Sequence, residues 1–132
     1  MTRMQKLLEL CVRYSQERNQ FGRPIGSFQA VQHMLAEMEV DIEAVRSMTY
    51  RIAWMVDQKV NVIKEAAVLK YLGSEAYCRV ADRAVQVYCG AGYIKDFPIE
   101  RYYRDARIAK IYEGTSEIQK NIIAAQLFKE YC

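Results

Sequence analysis

A carboxylate, a glycine and two hydroxyl residues stand together just before the last helical pattern of the chain, at Glu113, Gly114, Thr115 and Ser116. Glycine adopts backbone conformations that a side chain forbids, so we expect Glu113 on a tight turn. Thr115 and Ser116 are both good N-cap residues, and Ser116 with Gln119 fits a capping box. We expect free amides at this helix start to bind an anion, and a carboxylate beside a bound phosphate suits a general base. From these residues alone, a solvated glutamate in a capped turn is the simpler interpretation.

The composition predicts one soluble helical domain. The chain has 132 residues, enough for a single buried core, and 52% of them are hydrophobic and 27% charged. The net charge of +3 comes from interspersed acids and bases, which gives no reason to expect nucleic acid or a membrane surface as a partner. We expect neither a membrane span nor a signal peptide, because no apolar run reaches the roughly 18 residues that a span needs.

The four cysteines are far apart, and the sequence has only one histidine, His33. A Cys/His metal site would need distant ligands to converge, so we expect none. Reduced thiols suggest a cytoplasmic protein, or one of the mitochondrial matrix if the source is eukaryotic. His33 itself falls within a helical pattern and is expected to be a surface or packing residue.

Helical periodicity predicts a first helix from Thr2, a candidate cap, to Gln16. The pattern starts so near the opening methionine that we expect an excised piece of a longer protein. The segment from Arg18 to Ser27 is expected to be a connector, because it contains two glycines and a proline.

The second helix carries apolar residues at alternating steps of three and four, a heptad stripe typical of a long helix in a left-handed bundle. The stripe consists of Phe28, Val31, Leu35, Met38, Ile42, Val45, Thr49, Ile52 and Val56. Asn61 is a reasonable N-cap for a third helix, expected from Val62 to Tyr88. Its core positions are mostly small, so a neighbouring helix can approach closely; they are Val62, Ala66, Leu69, Gly73, Ala76, Val80, Ala84 and Val87.

The last part of the chain predicts two further helices. Gly90 and Gly92 are expected to end the third helix in left-handed or close-approach positions. Pro98 suits the first turn of a short helix, whose ion pairs are expected among Glu100, Arg101, Arg104 and Asp105. A final helix from Ser116 to about Phe128 presents one apolar face, formed by Ile118, Ile122, Ile123 and Leu127. Together the elements predict an all-α fold, an up-down four-helix bundle with a short additional helix.

Four motifs, in order, resemble the C-terminal helical domain of the acyl-CoA dehydrogenase family, with similar spacing from about Arg13 to Tyr131. They are Arg18 to Gly22, Gln86 to Tyr93, Pro98 to Ala106, and Ile111 to Gln119. The resemblance implies that residues 1–132 are a single C-terminal bundle domain. It also implies that the family's N-terminal helical domain and middle β domain are absent from this chain, so that the chain alone is incomplete and inactive.

The resemblance assigns the catalytic base of α,β-desaturation to Glu113, with Tyr112 and Gly114 beside the substrate. A carboxylate in this role needs burial to raise its pKa toward neutrality, and Tyr112 is expected to help provide the dry surface. The resemblance also implies FAD as the cofactor, partly bound across a subunit interface. The implied contacts are Arg18, Gln20, Phe21, Phe28, Gln29, Gln86, Gly90, Thr115, Ser116 and Glu117. Cys89 departs from the family, which usually has glycine there, so its contact with the flavin is in doubt.

The same resemblance implies an acyl-CoA substrate, electron-transfer flavoprotein as the acceptor, and a homo-oligomer, either a dimer or a tetramer. Two alternatives stay open. An acyl-CoA oxidase would pass its electrons to oxygen, and this segment carries no signal for the acceptor. A helical module that serves only oligomerisation would not need the intact sequence of Glu113, Gly114 and Thr115.

Overall fold

The computed structural model describes residues 1–132 and consists of helices joined by short connections. Besides a 3-10 turn at Ile25–Ser27, the elements are α1 (Thr2–Glu17), β1 (Asn19–Gln20), β2 (Arg23–Pro24), α2 (Gln29–Asp57), α3 (Ile63–Tyr88), α4 (Gly90–Tyr93), α5 (Ile99–Ile108) and α6 (Ser116–Tyr131). The two short strands form an antiparallel hairpin within the segment expected to be a connector.

Helix α3 lies at the centre and packs against α1, α2, α5 and α6. Its antiparallel course relative to α2 is marked by two ion pairs, Arg79 with Asp41 at 2.6 Å and Arg83 with Glu37 at 2.7 Å. Helix α6 also runs antiparallel to α3, since its last turn reaches Lys64 through Glu130 at 2.5 Å. The all-α bundle with α5 as the additional short helix confirms the predicted fold.

The heptad stripe of α2 is largely confirmed, because Met38, Ile42, Val45 and Ile52 are buried. Val56 at the end of the stripe is 54% exposed, so the prediction that this residue is buried is wrong. The last turns of α2 extend beyond the start of α1, which runs antiparallel to α2. They therefore lack one of the two helices that cover the rest of the stripe.

Several predicted boundaries and faces need correction. The cap position of α1 is Met1 rather than Thr2. Helix α3 begins at Ile63 with Val62 as its cap residue, although the Asn61 side chain does accept a hydrogen bond from the Ile63 amide at 3.1 Å. Ala66 is exposed, and the core residue of that turn is its neighbour Ala67.

Helix α6 is longer than predicted and less buried. It ends at Tyr131, and its expected apolar face is incomplete because Ile118 and Leu127 are 49% and 41% exposed. It packs chiefly against α3. The buried residues of α6 are Ser116 and Gln119, which both lie in its first turn.

The end of α3 also differs from the prediction, because the left-handed residue is Cys89, with φ 51° and ψ −135°. Gly90 has open space where a Cβ would lie. Gly92 is the close-approach glycine, since a Cβ there would lie 2.8 Å from the Cβ of Tyr88. The ion pairs of α5 agree with the prediction, Glu100 with Arg104 at 3.6 Å and Arg101 with Asp105 at 3.9 Å.

Candidate functional site

Glu113 lies on a left-handed turn immediately before α6. Its φ is 54°, and that of Gly114 is 95°. A Cβ on Gly114 would lie 2.6 Å from Nε2 of Gln119, the far end of a side chain that can shift, so the positive φ is the main reason why this position favours glycine. The backbone reversal that the sequence predicted for Glu113 is present.

The cap of α6 differs from the predicted capping box. Thr115 is the N-cap, and its hydroxyl accepts a hydrogen bond from the Ile118 amide at 3.3 Å. Ser116 is already inside the helix, so its hydroxyl is not available for capping. Gln119 instead donates to the carbonyl oxygens of Glu113 and Gly114, each at 3.4 Å. It thereby supports the turn from the helix side.

Two side chains of α3 hold the ends of this turn. Glu75 accepts hydrogen bonds from Lys110 at 2.6 Å and from the buried hydroxyl of Ser116 at 2.9 Å. Lys70 donates to the carbonyl oxygen of Ala109 at 2.5 Å. Lys70 and Glu75 thus hold the backbone on both sides of Glu113, so contacts with α3 determine the position of the turn.

The pKa of Glu75 reflects these contacts. Burial is the largest single effect and raises the pKa. The hydrogen bonds from Lys110 and Ser116 and the nearby positive charge of Lys120 lower it, and because together they outweigh burial, the pKa is lowered overall. The Glu75 carboxyl therefore stays ionised to a lower pH than an ordinary glutamate, and its two hydrogen bonds are charge-assisted.

The start of α6 has fewer free amides than expected. The Ser116 amide donates to the carbonyl oxygen of Lys110 at 3.1 Å, and the Ile118 amide is capped by Thr115. The backbone amide of Glu117 and the hydroxyl of Thr115 lower the pKa of the Glu117 carboxyl. An anion here would therefore meet side chains rather than bare amides. Arg107 and Lys110 line the hollow beside Thr115 and supply positive charge.

A cavity of about 710 Å³ opens beside the turn, between the start of α1, the middle of α2 and α3, and α5. Tyr112 and Glu113 are among its lining residues. The ammonium of Lys70 lies 5.4 Å from the ring centroid of Tyr112. Both Tyr112 and Glu113 are exposed, so this chain alone does not supply the dry surroundings that were expected for the base.

The implied flavin contacts of the connector lie on and after the hairpin. Phe21 forms its tip, with φ 53° and 91% exposure, and packs edge to face on Phe28 at 6.1 Å between ring centroids. The guanidinium of Arg23, which the sequence analysis missed, lies 4.1 Å from the Phe28 ring centroid. The other implied flavin contacts of this segment are also exposed, namely Arg18, Gln20 and Gln29.

Gln86 and Gly90 lie at the same end of the bundle as the hairpin. The ring of Tyr88 stacks on that of Tyr14 at 3.9 Å, which joins the end of α3 to the end of α1. Both Gln86 and Gly90 are exposed. With the hairpin they offer a guanidinium, an aromatic ring and open backbone, a set that fits the phosphates and rings of a dinucleotide.

The implied flavin contacts at the start of α6 are not part of that group. Ser116 contacts Glu75, eleven residues before Gln86 on α3, which is roughly 16 Å at the rise of an α-helix. The ten implied residues therefore form two separate surfaces. We call them the hairpin surface (Arg18, Gln20, Phe21, Phe28, Gln29, Gln86 and Gly90) and the turn surface (Thr115, Ser116 and Glu117).

The residues that the sequence analysis missed are polar residues of α3 and its partners, namely Lys70, Glu75 and Lys110. In the sequence they look like ordinary solvated positions. Their contacts become visible only in the structure, where α3 packs against the turn before α6, some 35 residues later in the chain.

Neither a metal site nor a membrane-spanning helix is indicated by the structure. No group of three or more histidine, cysteine, aspartate or glutamate side chains could hold a metal ion. None of the helices combines the length and the apolar character that a membrane crossing would need.

Comparison with known proteins gives the class of this domain. The family described as acyl-CoA dehydrogenase, C-terminal domain, matches residues 1–128. The chain is 45% identical over 127 residues to the mitochondrial short-chain specific acyl-CoA dehydrogenase of Bos taurus, covering 96% of this chain and 31% of that protein. It is 41% identical over 126 residues to the caffeyl-CoA reductase-Etf complex subunit CarC of Acetobacterium woodii, covering 96% and 33%.

A solved structure of the FAD complex of PigA matches with a TM-score of 0.91 and 33% identity, covering 96% of this chain and 33% of that one. The helical bundle thus has the same fold as part of a protein that was solved with FAD. The chain belongs to the acyl-CoA dehydrogenase family and corresponds to its C-terminal domain. It spans about a third of the length of the relatives it matches.

Proposed function

We propose that this chain supplies the catalytic base of a flavin-dependent acyl-CoA dehydrogenase, and that Glu113 is that base. The carboxylate takes the proton from the α carbon of the thioester while the β hydrogen leaves with its electron pair. Bound FAD would supply the two-electron oxidant. The observation that carries the proposal is the turn itself, because both ends are fixed by hydrogen bonds while the Glu113 side chain stays free beside a cavity.

The exposure of Glu113 supports a division of the site between domains. A carboxylate becomes a useful base when burial disfavours its charged form, and the chain alone leaves this one exposed. We propose that an N-terminal helical domain and a middle β domain cover the cavity in the whole protein. Residues 1–132 would then form one domain that is incomplete as an enzyme.

FAD is the proposed cofactor, and the FAD complex reported for PigA supports this choice. The turn surface would face the flavin of its own subunit through Thr115, Ser116 and Glu117. The hairpin surface would contact the flavin of a neighbouring subunit, with Arg18 on phosphate and Phe21 packed nearby. With the two surfaces on flavins of different subunits, the protein would be a homo-oligomer, a dimer or a tetramer.

The proposed electron acceptor is an electron-transfer flavoprotein, in line with the Etf complex named for the relative from Acetobacterium woodii. The alternative is oxygen as acceptor, as in an acyl-CoA oxidase. We propose a cytoplasmic location, or the mitochondrial matrix if the protein is eukaryotic, and the bovine relative is named as mitochondrial.

The proposal is tested by replacing Glu113→Gln in the full-length protein and measuring turnover of an acyl-CoA with an artificial electron acceptor and with oxygen. Loss of a general base is expected to lower kcat by about 10²- to 10⁴-fold with both acceptors. Glu39→Gln, an exposed glutamate of α2, is the matched control and should keep wild-type turnover. Normal turnover of Glu113→Gln with intact assembly would instead favour a domain that serves only oligomerisation.

The cofactor assignment is tested separately on residues 1–132 by incubation with FAD, desalting and visible absorbance. A folded but colourless protein is expected, because each surface is only part of a flavin site. A retained flavin spectrum that bleaches on addition of an acyl-CoA would contradict the view that further domains are required.

A further inference from the structure

Glu75 of α3 joins the two ends of the loop that carries Glu113. Its Oε2 accepts a hydrogen bond from Nζ of Lys110 at 2.6 Å, and its Oε1 accepts one from the hydroxyl of Ser116 at 2.9 Å. Lys110 lies three residues before Glu113, and Ser116 lies three residues after it. The Ser116 amide also donates to the Lys110 carbonyl oxygen at 3.1 Å, so the loop is closed by its backbone and by one side chain of another helix. Lys70 holds the chain only before this loop.

The loop itself has few other constraints. None of the backbone amides from Glu113 to Thr115 donates a hydrogen bond to a backbone carbonyl oxygen. Gln119 does donate to the carbonyl oxygens of Glu113 and Gly114, but both bonds are long, at 3.4 Å, and uncharged. The shorter, charge-assisted bonds of Glu75 are stronger, so we expect them to limit the movement of the loop most.

The ionised form of Glu75 is the form that can bind both ends of the loop, because its charge attracts the ammonium of Lys110. Burial raises the pKa of Glu75, but the hydrogen bonds from Lys110 and Ser116 lower it overall, so the carboxyl is ionised at neutral pH. Cations outnumber carboxylates among the other titratable groups near it, which are Cys78 and Arg79 of α3, Arg107 of α5, and Glu117 and Lys120 of α6.

We propose that Glu75 is a positioning residue for the base, and that by joining Lys110 to Ser116 it keeps the Glu113 carboxylate in one place beside the cavity. Glu75 is not among the residues that line that cavity. It therefore acts on proton transfer through the loop and not by touching the acyl group. This inference rests on the proposed function, since it takes Glu113 as the base.

The test measures kcat and KM of Glu75→Gln in the full-length protein, with an acyl-CoA, an artificial electron acceptor and saturating FAD. Glutamine can still accept from Ser116 but cannot pair with Lys110, and a shift of about 1 Å in a reacting group can cost about 10²-fold in rate. We expect kcat to fall about 10- to 100-fold, with KM within about twofold of wild type. Glu75→Asp, which keeps the charge, should recover most of the loss. Asp82→Asn removes an exposed carboxylate of the same helix and should change neither constant.

The pH dependence separates positioning from a general loss of stability. Wild type and Glu75→Gln both keep Glu113 and Glu117, so the titration of those two groups cancels in the ratio of the two kcat values. Wild type loses the charge of Glu75 as pH falls through its lowered pKa, so the ratio should fall toward one below about pH 5. A ratio that stays constant while circular dichroism shows both proteins folded would overturn the inference.

Hydrogen exchange of residues 1–132, followed by NMR, tests the loop without any turnover. In Glu75→Gln the Ser116 amide should exchange at least about tenfold faster than in wild type, whereas the amide of Val80 in the core of α3 should not change. Normal turnover of Glu113→Gln would contradict the proposed function, and the Ser116 amide would still decide whether Glu75 holds the loop. If Glu113→Gln lost turnover while Glu75→Gln kept the wild-type kcat, the proposed function would survive and the positioning role would be refuted.

Discussion

The strain at Cys89 gives a prediction whose magnitude follows from the backbone. With φ 51° and ψ −135°, this residue occupies a region that glycine adopts freely and that other residues rarely enter. Such a conformation costs about 1–3 kcal/mol. Replacing Cys89→Gly removes that strain, although glycine loses about 0.5–1 kcal/mol through the greater freedom of the unfolded chain.

The thiol contributes little against this gain, because its hydrogen bond to the carbonyl oxygen of Gln86, at 3.2 Å, is weak and exposed. Cys89→Gly should therefore stabilise residues 1–132 by about 1 kcal/mol, which is about 4 °C in Tm for a domain of this size. Thermal and urea unfolding, followed by circular dichroism, measure the change.

Cys89→Ala is the matched control, because it removes the thiol but keeps a Cβ in the strained conformation. It should be no more stable than wild type. If Cys89→Gly destabilised the domain, or if Cys89→Ala stabilised it equally, the backbone argument would be refuted.

Two further predictions concern the turn before α6. Gly114→Ala should destabilise the domain by about 1–3 kcal/mol in urea unfolding, because φ is positive and the new methyl group would meet the Gln119 side chain. An unchanged midpoint would contradict the strain expected from the positive φ. The pKa of Glu75 is lower in the folded protein than its ordinary value of 4.5, so its stabilising effect is present above that value and is lost as pH falls through the folded pKa. Wild type should therefore lose its stability advantage over Glu75→Gln on acidification below about pH 5. If the difference in unfolding free energy between the two proteins stayed constant with pH, the hydrogen bonds from Lys110 and Ser116 would not depend on the charge of Glu75.

The fold was predictable because its helices repeat a simple signal. The stripe from Val31 to Ile52 specifies which face of α2 is buried, whatever the partner helix turns out to be. Its end at Val56 was not predictable, since burial there depends on how far α1 extends along α2. Periodicity identifies a face, but it does not tell how much of that face a neighbour covers.

The site was predictable only where its geometry depends on neighbouring residues in the sequence and not on contacts between distant ones. Gly114 beside Glu113 indicated the turn correctly, because its requirement for a positive φ is local. The sequence left both Thr115 and Ser116 as N-cap candidates, and it did not indicate that the Ser116 hydroxyl would bind Glu75 of α3 instead. Lys70 and Glu75 could not be assigned for the same reason, since a polar residue on a helix surface does not indicate which distant loop will meet it.

The measurement that tests the central claim most directly is proton exchange at the α carbon of the thioester. The full-length protein is incubated anaerobically with an acyl-CoA in D₂O, without an electron acceptor, and the recovered thioester is examined by mass spectrometry. Wild type should introduce deuterium at the α carbon, and Glu113→Gln should do so at least about 10²-fold more slowly. Exchange at the wild-type rate in Glu113→Gln would show that another group takes the proton and that Glu113 is not the base.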